Sequence, residues 1–214
     1  MKTLPFLLLL ILIAGCDKDP NGTPVIKSFK DSRDSHIYKY VKIGSQTWMA
    51  ENLAYLPAVS PSSEGSESSA IYYVYNYEGR SISEAKSKGN YTSYGVLYNW
   101  AAAKIACPLG WHLPTDDEWT TLTDYSGSIA GKKMKSISGW SENGNGDNSI
   151  GFMVLPSGTR YNGGFIGLGS DAIFWSSSES GAYTWNRHLY YGNDGVGRNG
   201  SYRSKGFSLR CLQD

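Results

Sequence analysis

The chain opens on an apolar block. After Met1-Lys2-Thr3, positions 4–14 are almost wholly hydrophobic, and the run stops at Ile13-Ala14-Gly15-Cys16. Eleven such residues are too few to span a hydrocarbon core of about 30 Å. A cationic start, a short apolar stretch and small residues at its end have the build of a signal peptide, so residues 1–15 are read as removable. The pattern then turns polar: Asp17-Lys18-Asp19 and Pro20-Asn21-Gly22-Thr23-Pro24 make residues 16–30 a turn-rich tether. A single folded domain is expected over 31–214.

Within that domain, His36 to Ile43 alternates as a strand should, Gly44-Ser45 suits a two-residue hairpin turn with glycine first, and Gln46 to Met49 returns. Residues 57–69 read as loop, 71–75 as strand and 78–93 as a second polar loop. Helical spacing first shows at Leu97, Trp100, Ala101, Lys104 and Ile105, predicting a helix over 97–106 that Pro108 and Gly110 stop. A second helix starts at Pro114-Thr115-Asp116-Asp117-Glu118-Trp119. There Thr115 can cap the first amides, Glu118 can reach back, and the acids suit the positive end of the helix dipole. It should fade near Tyr125-Ser126-Gly127.

Past Trp140 the pattern favours strands and loops. Residues 141–149 are a Gly/Asn loop, Phe152 to Leu155 a short strand, and 174–177 and 184–191 strands. Asn193-Asp194-Gly195 turns the chain, and 207–212 alternates with Phe207, Leu209 and Cys211 on one face. The fold class is α+β, with two mid-chain helices and a curled antiparallel sheet, and no fixed-period repeat.

Composition narrows this further. The 214 residues are 40% hydrophobic and 18% charged, enough apolar material for one full-sized core and too little charge for disorder. With 25 Gly, 16 Tyr and 7 Trp, a loop-rich fold of short strands is favoured over a coiled coil or helical bundle. The 20 Lys+Arg against 19 Asp+Glu give no bulk field for nucleic acid. Loss of Lys2 with the signal takes the formal charge from +1 to zero, so membrane attachment must come from lipid.

The Ile13–Cys16 stretch resembles the bacterial lipoprotein processing box, in which the cysteine thiol takes a diacylglycerol. Acyl chains on Cys16, palmitate among them, would hold the protein at the membrane at about 0.8 kcal/mol per buried CH₂. The expected location is the outer membrane of a bacterial envelope. The plain alternative to that box is an ordinary secretory signal with a chance cysteine. The acids after Cys16 resemble the export signal of surface-exposed lipoproteins, against a periplasm-facing protein.

With Cys16 acylated, Cys107 and Cys211 remain as an even pair in an oxidising compartment, which reads as a disulfide. Across 104 positions it would restrict the unfolded chain by about 4–5 kcal/mol. The alternatives are a reactive pair or a metal site with a histidine, but no CxxC is present and His36, His112 and His188 lack ligand spacing.

Several blocks carry a resemblance: Tyr40 to Gly44 running into Gln46 to Leu53, Tyr98-Asn99-Trp100-Ala101-Ala102-Ala103, Cys107-Pro108 with Gly110 to Pro114, Trp175 to Glu179, and Gly206 to Leu212. Together they resemble the Fibrobacter succinogenes major paralogous domain, common in bacterial surface lipoproteins, over about residues 31–214. The resemblance implies a C-type-lectin-like fold close to formylglycine-generating enzymes, and brings no established activity.

Catalytic signatures are missing. Formylglycine generation needs a copper-binding cysteine pair, whereas Cys107 and Cys211 are better used as a staple; GxSxG, P-loop and HExxH motifs are absent. Asp116, Asp117 and Glu118 read as capping acids before they read as paired catalytic carboxylates. Trp175 is followed by three serines, so the calcium triplets of classical lectins are not supported. Asn143, Asn145 and Asp147 alternate as oxygen ligands for a weak calcium site, against solvated turn residues as the plain reading. No other cofactor is expected.

The stretch 176–205 is dense in Ser, Tyr, Asn, Gly and Arg and poor in aliphatics, the composition of antibody paratopes and sugar platforms. It also resembles the diversified C-terminal regions of displayed C-type-lectin-like binders. Along 184–191 one face should be core and the other exposed. The expected contact surface is Tyr183, Trp185, Asn186, His188, Tyr190, Asn193, Arg198, Asn199 and Tyr202. Taken together, an anchored envelope lipoprotein acting as a non-catalytic binding or adhesion module for a glycan or protein is expected, ahead of an oxidoreductase on a formylglycine-generating scaffold or a purely structural envelope protein.

Overall fold

A computed structural model describes residues 19–214. The signal segment and the Cys16 anchor lie outside the described residues, among which no helix is long and apolar enough to cross a membrane. The elements run β1 (Ile26–Lys30), β2 (Ile37–Ile43), β3 (Gln46–Met49), β4 (Tyr72–Tyr73), α1 (Ile82–Lys86), α2 (Gly89–Tyr94), β5 (Leu97–Tyr98), α3 (Trp100–Ala106), β6 (Trp111–His112), α4 (Asp116–Ser126), α5 (Ala130–Met134), β7 (Ser157–Tyr161), β8 (Gly164–Leu168), β9 (Asp171–Ser180), β10 (Tyr183–Tyr190), β11 (Gly197–Ser201) and β12 (Leu212–Gln213). Two five-stranded sheets result, ordered β1-β2-β3-β12-β6 and β11-β10-β9-β7-β8, with β4-β5 as a small third pair. The fold is α+β and its strands pair antiparallel, except where β7 meets β9 in parallel at Gly158 and Ala172.

Local signals are obeyed where they are strong. Ile43 pairs with Gln46 across Gly44-Ser45, and Gly44 sits at φ 61°, which a hairpin of this type requires of its first turn residue. Thr115 accepts from the Glu118 amide while the Glu118 carboxylate accepts from the Thr115 amide, so α4 begins on the expected capping box, and Gly127 ends it. Cys107 and Cys211 form the expected disulfide, tying the end of α3 to the segment entering β12.

Long-range pairing overrides the sequence elsewhere. The tether expected over 16–30 ends early: Ile26–Lys30 is strand β1, paired with β2 from Ile26–Val41 to Lys30–Ile37. Its Phe29 stacks on Trp111 of β6 at a centroid distance of 4.6 Å. These two strands are opposite edges, which a flat sheet would hold about 19 Å apart at the usual strand spacing. The first sheet therefore curls until its edges share aromatic contacts. The polar loop expected over 78–93 contains α1 and α2, whose only buried residue is Ala85, so no apolar period announces them. The first predicted helix starts three residues late, because Asn99 caps it and Leu97–Tyr98 pairs with β4 instead. Helix α5 and the hairpin β7–β8 were not expected at all.

Two cores flank the strands. Trp48, Trp119, Phe152, Phe174 and Leu189 meet in one, and Met49, Tyr98, Trp100, Trp175 and Phe207 in the other. Neighbours in sequence, Trp48 and Met49 or Phe174 and Trp175, thus serve opposite cores, as strands buried on both faces require. Arg210, 1% exposed, ties the layers. Its guanidinium donates to Asn52 Oδ1 (2.8 Å) and to the carbonyls of Met49 (3.1 Å), Phe152 (2.6 Å) and Met153 (3.0 Å). Carbonyls 152 and 153 are spent on this side chain, and Met153 stands at φ 55°, so the strand expected at 152–155 is an irregular segment with one bridge, Lys135–Val154. The stretch 206–212 is buried on both sides, not on the Phe207-Leu209-Cys211 face alone.

Candidate functional site

The second sheet carries most of the expected contact residues, and its register decides where they point. On β10 and β11, Thr184, Asn186 and His188 stand opposite Ser201, Asn199 and Gly197, while Trp185 and Arg187 stand opposite Gly200 and Arg198. Alternation sends the two sets to opposite faces. The expectation of one core face and one exposed face does not hold, since both sets are largely covered: Thr184, Asn186, Arg187 and Leu189 are all buried.

One face meets α4. Asp116, in its first turn, takes both guanidiniums: Arg187, itself 2% exposed, donates to Oδ1, and Arg198 donates from Nε and Nη2 at 2.9 and 2.7 Å. Burial alone would raise the Asp116 pKa, but the two arginines outweigh it and hold the carboxyl below its ordinary value. The Arg198 guanidinium lies flat on Trp185, 3.4 Å from the ring centroid. Trp185 and Arg198 are thus spent on each other, and Arg198 on α4 as well.

The neighbouring β9 explains the serines. Its register with β10 slips between Thr184 and Asn186, where Ser176 to Ser178 leave the ladder. Groups at this slip bind the helices: Trp119 Nε1 donates to the carbonyl of Trp175 at its edge, Trp100 Nε1 to the Ser176 carbonyl, and the Asp116 amide to Ser178 Oγ.

The other face of β10 opens on a pocket of about 220 Å³ lined by Thr159, Tyr161, Ile166, Ile173, Asn186, His188, Asn199, Ser201, Lys205 and Phe207. Asn186 Nδ2 donates to the Asn199 carbonyl (2.8 Å) and Ser201 Oγ (3.1 Å). His188 Nε2 lies 2.6 Å from Asp171 Oδ1. Of the nine expected contact residues, Asn186, His188 and Asn199 meet here. Tyr183 and Tyr202 pair at the strand end with centroids 5.0 Å apart, and the tilted rings of Tyr190 and Tyr191 meet at 4.3 Å. Asn193 sits in the exposed turn, which Lys135 pins from below by donating to the carbonyls of Tyr190, Tyr191 and Asn193. The nine are therefore divided among two faces and two margins.

Other depressions lie among the described residues. One of about 310 Å³ is lined by residues including His36, Glu51 and Tyr91, with His36 Nε2 3.7 Å from Glu51. Another, of about 550 Å³, lies between the end of α4, α5 and the β10–β11 turn, with Asp124 its sole ionisable lining group. Asn145 Oδ1 and Asp147 Oδ1, two of the expected calcium ligands, accept from the amides of Trp140 and Ser149, and Asn143 lies exposed beside them. Among the described residues no group of three or more His, Cys, Asp or Glu could hold a metal ion.

The Fibrobacter succinogenes major domain matches residues 41–213, from within β2 to β12. The chain belongs to this family. No curated protein and no solved structure matches it. The major domain thus takes in the second sheet, the whole pocket and the first sheet apart from β1 and the start of β2.

Sequence reasoning missed Lys205, Tyr161, Ile166 and Ile173 as pocket residues. The hairpin β7–β8 reads Ser-Gly-Thr-Arg-Tyr and Gly-Phe-Ile-Gly-Leu, too rich in glycine for a strand pattern. Lys205 stands in an irregular segment that the Arg160–Gly206 bridge and side-chain bonds from Thr159 and Arg160 bring beside β7. No signal in its neighbourhood marks it.

Proposed function

We propose that the protein is a cell-envelope lipoprotein whose domain binds a glycan or protein ligand on the open face of its second sheet and catalyses no reaction. The observation that carries this reading is the pocket lined by residues of β7, β8, β9, β10 and β11. It joins apolar walls to side chains whose orientation is fixed in advance, which lowers the ordering cost of binding. The Cys107–Cys211 disulfide supports the non-catalytic part, because it occupies the two thiols that formylglycine-type chemistry would need.

The test uses full-length protein in detergent, screened on a glycan array and by pull-down from envelope extracts. A ligand is expected whose affinity falls about tenfold or more in His188→Ala and changes little in Trp185→Ala, because Trp185 is committed to Arg198. The reverse order would move the site to the α4 face. Copper-dependent oxidation of a cysteine peptide by the intact protein would replace binding with catalysis.

A further inference from the structure

Lys205 is the sole cationic amine lining the 220 Å³ pocket. It is half-buried, its ammonium lies 4.5 Å from the Tyr161 ring centroid, and among the described residues no carboxylate stands within ion-pair distance of it. Burial pushes its pKa below the ordinary value, with no anion to oppose the shift. An ammonium partly stripped of water and left without a counter-ion gains when an anion arrives.

Asn186 lines the same pocket. A backbone carbonyl can only accept, so the bond from Nδ2 to the Asn199 carbonyl fixes which end of the amide is which. Asn186 Oδ1 is then a held acceptor that receives no hydrogen bond from the described residues. His188 is oriented by Asp171 through Nε2, which leaves Nδ1 unused and turns the Asp171 charge toward the imidazole. Ile166, Ile173 and Phe207 complete the wall with apolar surface. The demand is for one negative charge, at least one hydroxyl donor and a C–H face, within a volume that admits a single ring. A phosphate or sulfate brings oxygens that the Asn186 acceptor would repel, and one ammonium offers no guanidinium fork to hold them.

We propose that this pocket binds a hexuronate, free or as a residue of an acidic polysaccharide, with its carboxylate on Lys205, a ring hydroxyl donating to Asn186 Oδ1 and its C–H face on the Ile173–Phe207 wall. The inference rests on the binding-module reading and specifies the ligand of that same pocket.

Calorimetric titration of the full-length protein with D-galacturonate and D-glucuronate, each against its neutral counterpart D-galactose or D-glucose, tests it. At least one uronate is expected to bind about tenfold or more tightly than its neutral sugar, as a charge-assisted contact implies. Lys205→Met and Lys205→Gln should erase that preference while leaving the thermal midpoint and circular dichroism of the parent. Neutral sugars binding as tightly as uronates, or a preference that survives both Lys205 variants, would overturn the acidic-sugar assignment and leave the binding reading standing. Silence of all four sugars, in a protein that captures another ligand sensitive to His188→Ala, would overturn it too. Failure of every glycan and protein screen would remove the binding reading itself.

Discussion

Replacing Arg210 with methionine sets two large effects against each other. The side chain makes four hydrogen bonds, to Asn52 Oδ1 and the carbonyls of Met49, Phe152 and Met153. Each buried acceptor left without a donor costs about 1–3 kcal/mol, so the gross loss is roughly 4–12 kcal/mol. Against that, methionine spares the protein a buried charge, whose cost shows in a guanidinium pKa that burial pushes down to about 9. That relief is worth several kcal/mol. The methionine stem keeps contact with Phe152 and Phe174, over which the guanidinium now lies at 4.9 and 5.8 Å. The lost bonds should win, because the carbonyls of Phe152 and Met153 belong to an irregular segment with no strand partner to turn to, and a net loss of about 3–5 kcal/mol is expected. Urea unfolding of the disulfide-intact protein, followed by tryptophan fluorescence, measures it. A variant within about 1 kcal/mol of the parent would show that desolvation cancels the four bonds and that Arg210 does not organise residues 152–153.

Two further perturbations probe the helix ends and the ion pairs. Asn99 is fully buried and accepts from the amides of Ile71 (2.8 Å) and Ala102 (3.0 Å) while donating to the carbonyls of Ser66 (2.8 Å) and Ser69 (2.7 Å). Asn99→Ala should cost about 3 kcal/mol or more, and Asn99→Asp, which keeps the cap and loses the donors, should fall between; equal losses would mean the cap alone matters. The Glu51 carboxylate 3.7 Å away raises the His36 pKa above its ordinary 6.5, outweighing burial. At His112 burial opposes the charge, yet Asp214 and Glu118 more than offset it. Raised histidine pKa values give stability that is complete below about pH 6.5 and lost as pH climbs through the folded values. The partners Glu51 and Glu118 have lowered pKa values despite burial, so their share is complete above the ordinary 4.5 and lost on further acidification. The thermal midpoint should therefore fall from about pH 6 to pH 8, and the His36→Gln/His112→Gln double variant should flatten that fall; an unchanged slope would refute the pairing.

The sequence by itself determined whatever is encoded within a few residues, together with the family. Thr115 and Glu118 lie one helical turn apart, Gly44 and Ser45 sit between their own strands, and each makes its structure whatever the rest of the chain does. The cysteine pair and the family blocks were legible because a count and a string of specific residues are enough to find them. Only the tertiary structure could decide the remainder, because the energy there lies between residues far apart. Strand β1 exists because Phe29 finds Trp111, and residues 152–153 are irregular because Arg210 claims their carbonyls. The expected contact surface failed as one surface for the same reason. Alternation along β10 announces two faces but not what covers each, and Asp116 from α4 settles one while Lys205 and Tyr161, from segments with no strand pattern, furnish the other.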